Sequence, residues 1–228
     1  MAPLLGLLTI GQSPRPDRLA ADIETALGGR MRVVERGALD GLSKDQIAQL
    51  RPRPGDYHLV TVLRDGTPVQ LAKAAILPRL QEQITDLEQR EGVAATLLLC
   101  TGAFPSFTHQ KPLLQPQAAL YGAVIGMAGT GTIGALTPLP EQVDQARAKW
   151  RAMGVADVRL AAADPYCRDA LQAVRAAVAE VRTAGATILF LDCFGYDLTM
   201  RAVAREEFRG PVILARTLAA HLVAEMVA

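Results

Sequence analysis

The amino-acid sequence predicts an α/β fold of two pseudo-symmetric lobes, each a parallel sheet flanked by helices. Short apolar runs alternate with stretches of helical periodicity along the 228 residues, and strands that alternate with helices pair in parallel. The runs are continuously apolar, as strands covered on both faces are. One order, strand-helix-strand-helix-strand with a cysteine at the last strand's end, occurs twice, closing on Cys100 and on Cys193.

Residues 4–10 are the first predicted strand, ending at the turn Gly11-Gln12-Ser13-Pro14-Arg15-Pro16. Residues 16–27 read as a helix, with Pro16 near its start, where a missing N–H is harmless, and Gly28-Gly29 at its end. A short strand at 32–35 precedes Ser43 and Gln46, spaced as a capping box ahead of Ile47 and Leu50. Residues 57–63 form a strand closed by Arg64-Asp65-Gly66-Thr67-Pro68, and helical periodicity then runs from 69 to about 90 with a kink or break at Pro78. The strand 96–100 completes the first set, and the proline-bearing stretch 105–116 is the crossing to the second. The segment 113–128 fits helix or strand and is taken as helix. Residues 132–137 are a strand stopped by Pro138-Leu139-Pro140, 141–153 a helix ending at Gly154, and 158–162 a strand. Asp164 caps a helix over 165–183 that ends at Gly185. The second thiol-bearing strand spans 186–193, and a helix at 197–208, a strand at 212–214 and a terminal helix finish the chain. The expected lobes are residues 1–112 with 215–228, and residues 113–214.

Composition narrows the function. Half of the residues are hydrophobic, enough for sizeable cores, and 24 basic against 23 acidic residues leave a net charge of +1. With no basic stripe and 4% aromatic content there is nothing to grip phosphates or stack on bases, so nucleic acid is not an expected partner. The apolar start lacks a basic leader and runs into a turn, reading as a strand rather than a signal peptide. No apolar run is long enough to span a bilayer, so no membrane partner is expected. Three cysteines without paired spacing argue against a disulfide framework, and no Cys-x-x-Cys or histidine cluster suggests a metal. There is no asparagine, hence no N-glycosylation site. The expected location is the reducing cytoplasm. A homodimer or higher homo-oligomer is compatible with the sequence.

Cys100 ends Thr96-Leu97-Leu98-Leu99 and opens onto Thr101-Gly102, while Cys193 ends Ile188-Leu189-Phe190-Leu191-Asp192 and opens onto Phe194-Gly195. In open α/β sheets the ligand crevice lies outside the carboxyl ends of the strands. Both thiols, with Thr101, Gly102, Phe194 and Gly195, are therefore expected at the edge of a pocket between the lobes. Taken singly, each cysteine reads as a small buried hydrophobe. Their repetition in corresponding places supports a second reading as a catalytic pair, because glycine there exposes backbone N–H groups that hold an anion and lower a thiol's pKa. Cys167 reads as incidental. Ser13 and Arg15, in the first strand-to-helix turn, either bind a substrate carboxylate, Arg15 bidentately, or form an ordinary turn in which Ser13 caps. Thr137 ends its strand where it can face the crevice. The string Gly129-Thr130-Gly131-Thr132-Ile133-Gly134 matches G-x-G-x-x-G but precedes a strand instead of following one, so it reads as a flexible turn. His58, His109 and His221 lack ligand spacing; His109 alone lies near a cysteine in sequence. Asp192 should face away from Cys193 by strand alternation, as a supporting or surface carboxylate, and Asp197 should cap the following helix.

Three segments carry a family resemblance: Thr9-Ile10-Gly11-Gln12-Ser13-Pro14-Arg15-Pro16-Asp17, Leu99-Cys100-Thr101-Gly102-Ala103-Phe104-Pro105 and Leu191-Asp192-Cys193-Phe194-Gly195-Tyr196-Asp197. At these residues, and in its strand–helix order, the chain resembles the AroM-like family within the aspartate/glutamate racemase superfamily. The resemblance implies two similar α/β lobes with the site between them. It also implies chemistry next to a carboxylate without a cofactor: racemisation, maleate isomerisation or arylmalonate decarboxylation. Carried over, Cys100 and Cys193 are the catalytic acid and base. Ser13, Arg15, Thr101, Gly102, Thr137, Phe194 and Gly195 are the expected substrate-binding residues. Amino-acid racemases of the superfamily follow the first cysteine with Asn-Thr and the second with Thr. Here Thr101-Gly102 and Phe194-Gly195 stand instead, pointing to a less polar or non-amino-acid carboxylate. The leading expectation is a two-thiol racemase or isomerase of a small carboxylate. The rivals are a single-cysteine isomerase or decarboxylase, and a non-catalytic small-carboxylate-binding protein.

Overall fold

The computed structural model describes residues 2–227 and divides the chain into two units, Met1–Pro116 with Ala219–Ala228 and Gln117–Leu218. Unit 1 is organised on strand β1 (Leu4–Thr9), whose Leu5, Leu7 and Leu8 are fully buried. β2 (Arg32–Gly37) pairs with it in parallel from Leu4↔Arg32 to Thr9↔Gly37. On the other side β5 (Ala95–Leu98) pairs in parallel from Leu5↔Ala95 to Leu8↔Leu98, and β6 (Leu113–Leu114) extends the sheet beyond it. The order is β2-β1-β5-β6. Three helices belong to this part of the chain, α1 (Leu19–Leu27), α2 (Lys44–Ala48) and α3 (Lys73–Asp86). The predicted capping box is present at α2, Ser43 accepting from the Gln46 amide and Gln46 returning to the Ser43 amide.

Three sequence expectations in unit 1 change. The helix expected from residue 16 begins at Leu19, because Arg18 takes a left-handed conformation (φ 56°) and only from there does its carbonyl accept the Asp22 amide. The stretch expected to be helical from residue 69 opens as a strand: β3 (His58–Val62) and β4 (Pro68–Ala72) form an antiparallel hairpin, His58↔Ala72 to Val62↔Pro68. Pro78 lies inside α3 without ending it. A helix-interior proline costs about 3 kcal/mol. Ile76, Leu80 and Ile84, four residues apart and fully buried on one stripe, offset it at roughly 1.5–3 kcal/mol each. The stripe continues to Leu87 in a π-helical turn, Leu87–Glu91, stopped by Gly92.

Unit 2 repeats the plan. β7 (Ile133–Thr137) is flanked in parallel by β8 (Val158–Ala162) and β9 (Ile188–Leu191), with β10 (Val212–Leu214) outside β9. The order is β10-β9-β7-β8. Counted within each unit and leaving out the β3–β4 hairpin, both sheets read second-first-third-fourth. The helices are α4 (Pro116–Ala128), α5 (Val143–Ala152), α6 (Ala170–Thr183), α7 (Leu198–Phe208) and α8 (Ala215–Glu225), the last passing from unit 2 to unit 1 at Ala219. The ambiguous segment resolves as the two-residue β6 followed by α4. α6 starts at Ala170 rather than near Pro165, because Asp164 accepts the Tyr166 amide (2.8 Å) in a local turn instead of capping a helix. Asp197 does cap α7, accepting from Met200 at 2.7 Å. The glycine-rich string precedes β7, as its sequence position required. Among the described residues no helix is long and apolar enough to cross a membrane.

Candidate functional site

The two cysteines stand at equivalent ends. Each follows the third strand of its sheet by two residues, Cys100 after β5 and Cys193 after β9. The backbone then turns so that the second amide along reaches back to the sulfur. The Gly102 N–H donates to Cys100 Sγ at 3.4 Å, and the Gly195 N–H donates to Cys193 Sγ at 3.2 Å. Both thiols are partly buried and each packs on the core of its own unit. An amide aimed at sulfur favours the thiolate over the thiol.

Side chains that the sequence did not single out hold each loop. In unit 2 the peptide joining Phe194 to Gly195 is engaged at both ends. Its N–H is the donor to Cys193 Sγ, and its carbonyl accepts from Arg216 Nε (3.1 Å) and Nη2 (2.6 Å), with Gly195 O at 3.3 Å from the same Nη2. Arg216, in the first turn of α8, is fully buried. Gly195 cannot be replaced without a shift, since a Cβ there would lie 2.5 Å from Tyr166 Oη and 2.8 Å from Pro165 Cγ. In unit 1 the loop is held one residue further along: the Ala103 N–H donates to Tyr57 Oη (3.3 Å) and its carbonyl accepts from Lys73 Nζ (2.9 Å), which stands 4.3 Å from the Tyr57 ring centroid. The only sequence signals for these groups were a charged residue in an apolar terminal segment (Arg216) and one at the start of α3 (Lys73).

Alternation along β9 separates Asp192 from Cys193. Leu189, Leu191 and Cys193 pack with α6 and α7, among them Val174, Ala177 and Met200. The Asp192 carboxylate instead accepts from the Tyr121 hydroxyl and pairs with Lys149 Nζ at 3.2 Å. The Asp192 side chain is 1% exposed and that of Lys149 11%. Tyr121 stacks on Trp150 with centroids 4.0 Å apart. Tyr196, also fully buried, donates to Ala163 O at 2.7 Å. Its phenol is pushed well above the usual tyrosine range, first by burial and then by the charges that Cys193, Asp192, Asp164 and Tyr166 carry when ionised, so it remains a donor.

In unit 1 the loop after β1 leaves the carboxyl end of the strand adjacent to β5. The Asp40 carboxylate accepts from the Ser13 amide (2.8 Å) and hydroxyl (2.5 Å) and from the Gly37 amide (2.8 Å), while Arg64 Nε donates to Ser13 O at 2.7 Å. Arg15 is buried. Its guanidinium forks onto Asp17 (3.1 and 2.6 Å) and reaches Thr61 Oγ1 at 2.7 Å and Thr9 Oγ1 at 3.4 Å. The Arg15 amide donates to Glu35 Oε2 at 3.1 Å. Glu35's carboxyl is raised above its ordinary value, chiefly by burial.

Unit 1 thus gathers Ser13, Arg15, Cys100, Thr101 and Gly102 on the loops of two adjacent strands. Unit 2 does the same for Thr137, Cys193, Phe194 and Gly195, because β7 and β9 pair directly. Thr9 and Thr137, both buried, end the first strand of their respective sheets. Cys167 is exposed in the turn before α6, and His109 is exposed with Nδ1 2.8 Å from Lys111 O. Among the described residues no three His, Cys, Asp or Glu side chains cluster as metal ligands would.

A family model described as AroM protein matches residues 5–227. No curated protein matches the chain. Among solved structures it is similar to the Picrophilus torridus aspartate racemase, at 15% identity and a TM-score of 0.60, over 98% of this chain and 94% of that one. It is also similar to allantoin racemase from Klebsiella pneumoniae, at 16% identity and a TM-score of 0.66, over 98% and 87% of the two chains. The unliganded arylmalonate decarboxylase is 12% identical with a TM-score of 0.58, over 99% and 92%. At these identities the likeness is one of fold, and the fold is the one these racemases and the decarboxylase share.

Proposed function

The chain belongs to the AroM protein family, and from that membership we propose that it is a cofactor-independent racemase or isomerase acting beside the carboxylate of a small organic acid. The observation that carries this reading is the repeated thiol: one cysteine two residues beyond the third strand in each of two sheets of identical strand order, each sulfur taking the amide of the glycine two residues on. The repetition also supports reading residues 1–112 with 215–228 and residues 113–214 as two equivalent lobes serving one substrate. The fold shared with racemases adds to this.

In the proposed reaction one thiolate removes the proton from the carbon next to the carboxylate, and the other thiol delivers its own proton to the opposite face. The difficult species is the enolate-like carbanion, and oriented amides and a carboxylate clamp lower its energy more than they lower that of the ground state. An unperturbed thiol is only about 3% ionised at neutral pH, and the first unit by which its pKa falls raises the active fraction about eightfold. In this reading Ser13, Arg15 and Thr137 serve the substrate carboxylate. Arg15 would exchange Asp17 for it, while Thr101, Gly102, Phe194 and Gly195 shape the thiol surroundings. The same reading places the protein in a reducing cytoplasm.

A second reading, chemistry at one thiol as in a decarboxylase, is favoured by one observation. The thiol loops are held differently, Arg216 acting on the Cys193–Gly195 turn and Lys73 with Tyr57 acting at Ala103. NMR in D₂O on a panel of small mono- and dicarboxylates decides. Proton exchange lost in both Cys100→Ser and Cys193→Ser is the two-thiol result, and loss in one alone is the single-thiol result. Full exchange in the double variant would remove the thiols from the mechanism.

A further inference from the structure

We propose that Arg216 is the positioning residue that makes Cys193 the resting thiolate of the pair. This rests on the two-thiol reading and adds to it an assignment of roles. A peptide unit is a dipole with its N–H and C=O at opposite ends. The Phe194–Gly195 peptide directs its N–H to Cys193 Sγ at 3.2 Å, and its oxygen accepts two guanidinium donors from Arg216 at 3.1 and 2.6 Å. A cation on the oxygen draws electron density toward that end and leaves the N–H a stronger donor, and such chains strengthen cooperatively where the dielectric is low. Because Arg216 is fully buried, water screens little of this. The fork has a geometric effect too. Contacts to Phe194 O and Gly195 O fix two successive peptides, so the amide cannot swing off the sulfur.

Other charged and titratable groups of unit 2 lie about this turn. The Asp192 carboxylate is on the opposite face of β9, tied to Lys149 and Tyr121. Tyr196 is held protonated, Asp164 accepts the Tyr166 amide, and Tyr166 Oη borders Gly195. In unit 1 the amide on Cys100 Sγ is that of the Thr101–Gly102 peptide, and Lys73 bonds the oxygen of the peptide after the next, at Ala103. Cys193 then begins the cycle as the base and Cys100 as the acid. After one transfer the abstracted proton is on Cys193 and the charge is on Cys100, and exchange with water restores the starting state.

Alkylation by iodoacetamide tests this without any substrate. In a Cys100→Ser/Cys167→Ser background, where Cys193 is the only thiol of the three, the rate is measured against pH by intact mass. Arg216→Gln is expected to raise the midpoint of that profile by about one pH unit and to slow alkylation at neutral pH by about two- to fivefold, as follows for a thiol that is at least half ionised there. Arg216→Lys should recover part of the loss, since an ammonium restores charge but not the fork. An unchanged midpoint in a folded Arg216→Gln protein, monitored by Trp150 fluorescence, overturns the proposal. If that variant does not fold, the unmodified protein decides, by peptide-resolved alkylation of both thiols. Cys193 must titrate below Cys100, and the reverse order or equality overturns the assignment. Failure to find a turned-over acid would leave these profiles untouched, so the two readings fail separately.

Discussion

Replacing Lys149 with methionine strands a carboxylate inside unit 2. Asp192 and Lys149 are 3.2 Å apart, with side chains 1% and 11% exposed, so solvent cannot take over when the ammonium is removed. Losing one partner of a buried pair costs about 3–5 kcal/mol. The Tyr121 hydroxyl still donates to Asp192 in the variant, which places the expected loss near the lower limit, about 3 kcal/mol. For a chain of this size that lowers Tm by about 6–12 °C. The double variant Lys149→Met/Asp192→Asn removes both charges and keeps an acceptor for Tyr121, and should return to within about 1 kcal/mol of the parent, regaining about 2 kcal/mol on the single variant. The assay is urea unfolding followed by Trp150 fluorescence. Trp150 is the chain's one tryptophan, fully buried, and stacked on Tyr121, so it reports on this cluster directly. A cost below about 1 kcal/mol for Lys149→Met, the value of an exposed pair, would refute the reasoning.

Glu35 gives a pH signature. Its folded pKa is raised above 4.5, so between the unfolded and folded values the native state holds more protons, and stability falls as pH rises through that window. Glu35→Gln, which keeps an acceptor for the Arg15 amide, should flatten this fall. Tm measured at about pH 4 and pH 7 checks it, and an equal drop in parent and variant would count against the assignment. Gly195→Ala puts a carbon 2.5 Å from Tyr166 Oη and 2.8 Å from Pro165 Cγ, so either those side chains or the turn must shift, and a shift of the turn draws the amide off the sulfur. The expected results are a loss of about 1–3 kcal/mol and several-fold slower Cys193 alkylation at neutral pH. An unchanged alkylation rate together with an unchanged stability would mean the side chains yield instead of the turn; an unchanged rate with the stability loss would mean the amide contact does not govern the thiol.

The parallel sheets were legible because buried strands announce themselves as short apolar runs, and the caps at Ser43 and Asp197 because they are local chemistry. The β3–β4 hairpin was missed for a related reason. Val69, Leu71 and Ala72 merge by composition into the helix that follows, and only pairing with His58–Val62 makes them a strand. Of the kink or break expected at Pro78, the break is absent, because a local penalty is set against a buried stripe that sequence periodicity only hinted at. The thiols were legible through repetition. Arg216, Lys73 and Tyr57 were not, because each acts on a loop brought near by sheet pairing or helix packing, and nothing in an isolated arginine says whether it will meet carbonyls or water.

Unit 2 is one uninterrupted segment, Gln117–Leu218, whereas unit 1 needs both its first 116 residues and those from Ala219 onward. Synthesis runs from the N-terminus, so unit 1 waits, incomplete, while about 100 residues of unit 2 are made, roughly 5–20 s at 5–20 residues per second. Unit 2 can close as soon as it emerges, but unit 1 closes only when α8 arrives with Ala219, Ala220 and Val223, all buried. A ribosome halted before that helix would release a chain with Cys193 on a finished sheet and Cys100 on an unfinished one.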